Sequence, residues 1–190
     1  METKNIMIVG VGGQGTLLTS RILGNMTVKA GFDVKISEVH GMAQRGGSVV
    51  TFVRYGESVA EPIVEEGMAD VLIAFERLEA LRYAHFLKKD GVLIVNDVRM
   101  DPMPVAIGAA QYPENIIENL SAKYKVVSLD AKEEAIKLGN ARVFNTIIIG
   151  VAAKSMDFDK DMWIEVIKET VPAKTVDINV AAFERGFDFM

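Results

Sequence analysis

Two glycine-rich segments carry the residues whose types and spacing are best suited to binding chemistry. The first, Gly10-Val11-Gly12-Gly13-Gln14-Gly15, matches the pattern GxGxxG between an apolar run and a helical pattern. Its glycines permit a tight turn, and the N–H groups that open the following helix attract phosphate. The sequence therefore predicts that a phosphate-bearing ligand contacts Gly10, Gly12, Gly13, Gln14 and Gly15.

The second segment, Gly41-Met42-Ala43-Gln44-Arg45-Gly46-Gly47-Ser48, follows a second predicted strand. Arg45 presents a planar set of N–H donors that suits phosphate or carboxylate, and the glycine pair leaves backbone N–H groups free for the same purpose. The side chains of His40 and Gln44 add further hydrogen-bond donors to this segment. We therefore expect a surface that meets a ligand or another subunit, formed by His40, Gln44, Arg45, Gly46, Gly47 and Ser48.

Each segment also has a purely structural alternative. The glycines of the first would only let a helix approach a strand, and Arg45 would pair with an acid at a turn or subunit contact. His40 has no companion acid, base or nucleophile at recognisable spacing, so a hydrogen-bonded structural histidine is favoured over a catalytic one. A dinucleotide interpretation needs an acid at the end of the second strand, and Glu38 is the candidate.

Composition bounds the class of protein. The chain has 190 residues, a formal charge of −5, two histidines and no cysteine, which indicates a single domain over residues 1–190. The negative charge argues against nucleic-acid binding. No apolar run has the length of a membrane span and no signal-peptide pattern is present, so we expect a cytoplasmic protein. Disulfides and cysteine-ligated clusters are excluded, and a conventional zinc site is disfavoured, so no metal site is predicted.

The elements that position the two segments follow from hydrophobic patterning. Apolar runs predict strands over residues 5–9, 32–39, 69–75, 91–96 and 125–129, with helices between and after them. One helix is expected from Glu76 to Leu87, with Glu76 and Glu79 satisfying its dipole, and residues 98–113 are expected to form a plain connection. Residues 48–54 alternate and predict an inserted, possibly antiparallel strand. The pattern predicts an α/β, Rossmann-like three-layer fold with a mostly parallel sheet and a helical C-terminal part. Ligands bind beyond the carboxyl ends of such strands, where both segments are expected to meet.

Taken together, these stretches resemble a known family. The matching residues are the first glycine segment, the run from Glu38 to Val49, and Ala69-Asp70-Val71-Leu72, Phe75-Glu76, Glu79-Ala80-Leu81-Arg82-Tyr83, Gly139-Asn140 and Asn145. They are similar to the gamma-type subunits of 2-oxoacid:ferredoxin oxidoreductases. The string from His40 to Ser48 favours the indolepyruvate branch over the pyruvate and 2-oxoglutarate branches.

The resemblance implies a subunit without catalytic residues of its own in a larger oxidoreductase. In that family thiamine diphosphate on a large subunit attacks the 2-oxoacid and carbon dioxide leaves. Electrons then pass through iron–sulfur clusters to ferredoxin, and the acyl group is delivered to coenzyme A. The substrates would be indolepyruvate and other arylpyruvates, and the product aryl-acetyl-coenzyme A. The small subunit would close the active site and share coenzyme A, whose phosphates suit the two glycine segments.

Two other classes of protein stay open. A self-sufficient NAD-dependent oxidoreductase would need tight dinucleotide binding and an internal acid–base group. A stand-alone module for nucleotides or coenzyme A would bind its ligand without a large partner. Saturation binding of NADH, coenzyme A and adenine nucleotides to the purified chain separates these classes from the composite enzyme.

Overall fold

The computed structural model of the chain describes residues 2–41 and 46–189. Six strands of this part form one sheet in the order β2-β3-β1-β4-β5-β6. They are β1 (Lys4–Val11), β2 (Asp33–His40), β3 (Ser48–Gly56), β4 (Ala69–Ala74), β5 (Leu87–Asn96) and β6 (Lys125–Leu129).

The sheet is parallel except for one inserted strand. β1, β4, β5 and β6 pair in parallel, whereas β3 pairs antiparallel with both β1 and β2. Helices lie on both faces: α1 (Thr16–Lys29), α2 (Arg77–Tyr83), α4 (Ile116–Ser121), α5 (Ala131–Lys137), α6 (Phe144–Ala153), α7 (Lys160–Thr170) and α8 (Val176–Phe187). The short helix α3 (Met103–Ala106) has no buried residue. The predicted three-layer α/β fold with an inserted antiparallel strand is confirmed. Of the helices in these residues, none has the length and apolar character that a membrane span requires.

Alternation along the central strands divides the core into two halves. Ile6 and Ile8 of β1 face one side, in a core that also contains buried residues of α1, α6, α7 and α8. Met7 and Val9 face the other side, in a core completed by α2 and α4. Because successive side chains of a strand point to opposite faces, each central strand contributes to both cores.

The helical C-terminal part is held together by direct backbone contact between α6 and α8. A Cβ atom on Gly186 would lie 1.9 Å from the carbonyl oxygen of Ile147, and one on Gly150 would lie 2.2 Å from that of Phe183. No side chain fits at either position, so the two helices touch through their glycines.

Two local expectations needed correction. The helix expected from Glu76 to Leu87 ends at Tyr83 and is followed by a 3-10 turn over Ala84–Phe86. Strand β5 then begins at Leu87 rather than Gly91, because buried Leu87 pairs with Ala69 of β4. In addition, the segment predicted as a plain connection over residues 98–113 contains the short helix α3.

Candidate binding site at the carboxyl edge of the sheet

The two glycine segments meet where β1 ends and β3 begins. Antiparallel pairing places Val11 opposite Ser48. The N–H of Gly12 donates to the carbonyl oxygen of Gly47 at 2.9 Å. This edge also holds the carboxyl ends of the parallel strands, and the sheet order brings the segments together there because β3 lies beside β1.

The first glycine segment turns sharply into α1. Gly13 and Gly15 have φ angles of 101° and 87°, in the left-handed region that favours glycine. A Cβ on Gly15 would also lie 2.7 Å from the Nδ2 of Asn145, at the start of α6. Helix α1 begins at Thr16 without a side-chain hydrogen bond to its N-terminus, so its first N–H groups suit an anion.

Gln14 anchors the turn to the neighbouring strand. Its Oε1 accepts from the N–H of Val11 at 2.7 Å, and its Nε2 donates to the carbonyl oxygen of Phe75 at 3.0 Å. The side chain is buried, with 9% of its surface exposed. The amide of Gln14 therefore holds β1 and the end of β4 together; direct contact between Gln14 and a ligand stays a prediction.

Asn96 at the end of β5 extends the same network. Its Nδ2 donates to the carbonyl oxygen of Phe75 at 3.2 Å, and its Oδ1 accepts from the N–H of Ala131, the first residue of α5, at 3.0 Å. Asn96 is 1% exposed. One buried amide thus fixes the spacing between β4, β5 and the start of α5.

A cleft of about 260 Å³ opens beside this network, where the order of the strands reverses on either side of β1. Such switch points are where open α/β sheets bind ligands. Its lining includes Gly13, Gln14 and Asn96 together with two cations, Arg99 and Lys132. Arg99 is paired with Asp101, whereas Lys132 forms no ion pair with any described residue and is exposed. Lys132 is therefore the cation available to an anionic ligand in this cleft.

Two buried carboxylates lie on the other side of the glycine turn, at the start of α2: Glu76 is the N-cap and Glu79 lies in the first turn. Glu76 accepts hydrogen bonds from the N–H groups of Glu79 and Met100 and from the hydroxyl of Tyr112. Glu79 accepts from the hydroxyl of Ser48 at 2.5 Å. Burial raises the pKa of Glu79 above its ordinary value, against the opposing effects of the Ser48 hydrogen bond and of nearby Arg82.

The remaining predicted residues have different outcomes. His40 is exposed at the end of β2, with its Nδ1 3.1 Å from the carbonyl oxygen of Gly41. Gln44 and Arg45 lie outside the described residues, so their predicted roles remain predictions.

Glu38, the candidate acid of the dinucleotide interpretation, accepts a hydrogen bond from the hydroxyl of Thr51 on β3 at 3.2 Å. Because β3 separates β2 from β1, Glu38 lies level with Ile8 and two strand spacings, roughly 10 Å, from β1.

Comparison with known proteins identifies the family. The model of the family described as pyruvate ferredoxin/flavodoxin oxidoreductase matches residues 5–189. The chain belongs to this family. It is 41% identical over 194 residues to the indolepyruvate oxidoreductase subunit IorB of Thermococcus kodakarensis, with 98% of this chain and 95% of the relative covered. To the IorB subunit of Archaeoglobus fulgidus it is 43% identical over 189 residues, covering 97% and 94%.

The fold agrees with a solved member of this group. The pyruvate oxidoreductase subunit PORC of Thermotoga maritima superimposes with a TM-score of 0.75 at 21% identity, covering 99% of this chain and 97% of that chain. At this identity the likeness concerns the fold.

Three residues of this candidate site were not predicted as binding-site residues. Local patterning gives no functional role to Asn96 or Lys132, and it assigns Glu79 to the dipole of α2. A polar residue that closes an apolar run, as Asn96 does, marks the carboxyl end of a buried strand. For Glu79 there was no local signal, because its partner Ser48 is 31 residues away.

Proposed function

We propose that this family member is the small, non-catalytic subunit of a cytoplasmic complex that oxidatively decarboxylates indolepyruvate and other arylpyruvates to aryl-acetyl-coenzyme A, with ferredoxin as electron acceptor. The supporting observation is identity of 41% and 43%, over nearly full length, to two subunits named for indolepyruvate. Identity to subunits named for pyruvate or ketoisovalerate and for 2-oxoglutarate is lower, at 27% and 30%. A complex specific for pyruvate or 2-oxoglutarate is the second candidate.

In this proposal the redox cofactors belong to a large partner subunit. The chain has no cysteine and so offers no thiolate to an iron–sulfur cluster. Thiamine diphosphate, when bound to that partner, supplies the electron sink that decarboxylation of a 2-oxoacid requires. The present chain then contributes a shaped surface and fixed donors to the shared active site.

We assign the coenzyme A phosphates to the carboxyl edge of the sheet. The observation that carries this assignment is the hydrogen bond from Gly12 to Gly47, which joins both glycine segments beside the uncapped start of α1. Lys132 adds a cation at the adjoining cleft. N–H groups at a helix start and a lysine side chain are donors that suit phosphate.

Charge reversal at the cleft tests this assignment. Lys132→Glu in the complex should raise the KM for coenzyme A about tenfold, equivalent to about 1.4 kcal/mol, and leave the kcat near that of the wild type. Steady-state ferredoxin reduction with coenzyme A as the varied substrate measures both constants. The control is Lys123→Glu, since Lys123 is also exposed but precedes β6 at the opposite edge of the sheet. An unchanged KM for coenzyme A in Lys132→Glu would remove the cleft from the binding site.

The topology disfavours a self-sufficient NAD-dependent enzyme. Dinucleotide-binding folds place the ribose-binding acid on the strand next to the glycine turn. Here β3 occupies that place, and the carboxylate of Glu38 is engaged by Thr51. Equilibrium titration with NADH, coenzyme A and adenine nucleotides tests the remaining alternative, a stand-alone binding module, which requires tight binding to the isolated chain.

A further inference from the structure

A short chain of contacts links α2 to the glycine turn. The carboxylate of Glu79 accepts from the hydroxyl of Ser48 at 2.5 Å. The residue before Ser48 is Gly47, whose carbonyl oxygen accepts from the N–H of Gly12 at 2.9 Å. Hence one buried side chain on α2 reaches the meeting point of the two glycine segments through two hydrogen bonds.

Helix α2 does not need the Glu79 carboxylate for its own N-terminus. Glu76 already caps the helix, since its Oε2 accepts from the N–H of Glu79 at 3.0 Å. An acid that serves only the helix dipole gains nothing from burial, yet Glu79 is 4% exposed. Burying a carboxylate costs solvation free energy unless specific partners replace the lost water. The partner that Glu79 gains from a distant strand is Ser48.

We propose that Glu79 is a positioning residue: through its hydrogen bond to Ser48 it fixes the contact between Gly47 and Gly12, and so sets the shape of the edge that faces coenzyme A. The positioning itself follows from the geometry of the chain. Only the identity of the ligand at that edge rests on the proposed function.

The charged and titratable groups around Glu79 determine which substitutions can test its hydrogen bond to Ser48 alone. Arg82 lies on the same helix, with its Nη1 3.4 Å from the Oε1 of Glu79. Glu76 and Asp101 line the same small cavity of about 60 Å³. The hydroxyl of Tyr83 is 3.5 Å from that of Ser48. Because these groups carry charge or titrate, each test uses a neutral, equally shaped replacement as well as a truncation.

Amide exchange at Gly12 in the isolated full-length chain tests the positioning directly. Glu79→Ala and Ser48→Ala should each speed exchange of the Gly12 N–H on the order of tenfold, because its acceptor is no longer held in place. Glu79→Gln keeps an acceptor for the Ser48 hydroxyl and should restore exchange to near the wild-type rate. The double variant should be no faster than either alanine variant, since both remove one interaction. Glu184→Gln, an exposed change on α8, is the control.

The same variants in the assembled complex test whether this positioning affects the binding of coenzyme A. Glu79→Ala should raise the KM for coenzyme A with little change in kcat, and Glu79→Gln should recover most of the loss. Unchanged Gly12 exchange in both alanine variants would overturn the positioning, as would uniformly faster exchange throughout the chain. Faster exchange at Gly12 with an unchanged KM would keep the positioning but contradict coenzyme A as the ligand of this edge.

Discussion

The carboxyl edge of the sheet and the contact between α6 and α8 bring chain segments close together by opposite means. At the edge, buried polar side chains such as Gln14, Glu79 and Asn96 hydrogen-bond to backbone and hydroxyl groups of other elements. Between the helices, Gly150 and Gly186 remove side chains, so backbone meets backbone.

The difference predicts which kind of change each region tolerates. The helix contact has no room for added atoms, because interiors are close-packed and backbone relaxes little. The edge is sensitive instead to loss of a hydrogen-bond partner, which leaves a buried polar group unsatisfied. Stability therefore depends most on shape in the helices and on polar pairing at the edge, where the proposed binding groups lie.

The largest expected effect comes from adding one methyl group between the helices. Gly186→Ala places a Cβ 1.9 Å from the carbonyl oxygen of Ile147 and should lower the free energy of unfolding by more than about 3 kcal/mol. Urea denaturation measures the change. Glu184→Ala, an exposed change in the same helix, should stay within about 0.5 kcal/mol of the wild type. A loss below about 1 kcal/mol for Gly186→Ala would show that the helices separate easily.

A smaller effect is expected from removing a polar group at the edge. Gln14→Leu keeps a similar volume but leaves the buried N–H of Val11 without its acceptor, and should cost about 2 kcal/mol. The matched control is Gln111→Leu at an exposed position. Residue-resolved amide exchange should show faster exchange near Val11 and unchanged exchange in α6 and α8. Equally faster amide exchange near Val11 and in α6 and α8 would show that the two regions are not independent.

The smallest effect is a change in the pH dependence of stability. Burial raises the pKa of Glu79 in the folded chain, so its contribution to stability is complete below the unfolded-state pKa and is lost as pH rises through the raised value. Glu79→Gln does not titrate. Its free energy of unfolding relative to the wild type should therefore increase as the pH rises above the ordinary glutamate pKa of about 4.3. Urea titrations at several pH values measure this, and a constant difference across the range would be the contrary result.

Local patterning predicted the six strands, the helices outside residues 98–121 and the meeting of the two glycine segments, because these follow from short-range periodicity and from the position of loops after strands. Local patterning did not predict the hydrogen-bond partners of the buried polar groups. Gln14 bonds to Phe75, 61 residues away, and Glu79 to Ser48, 31 residues away. These pairings depend on which strands become neighbours, and the place of β3 between β1 and β2 was not predicted.

The contact between α6 and α8 shows the same limit. The hydrophobic pattern predicts a helix from Asp177 to Gly186, and the observed helix α8 extends one residue further, to Phe187. The pattern gives no reason for a glycine at this position, whereas the close approach of the Ile147 backbone accounts for it. Only the packed structure distinguishes a glycine that ends a helix from one that admits a neighbour.

The most direct test of the central claim is an anaerobic pull-down of the tagged chain from its native host, followed by reconstitution with the large subunit that we expect to copurify. Ferredoxin reduction is followed with indolepyruvate and coenzyme A, for the chain alone, the large subunit alone and the two together. We predict no turnover by the chain alone, a brown partner with thiamine diphosphate, and full indolepyruvate-dependent turnover only by the complex. Turnover by the chain alone, or full activity of the large subunit without it, would contradict the assignment as a required non-catalytic subunit.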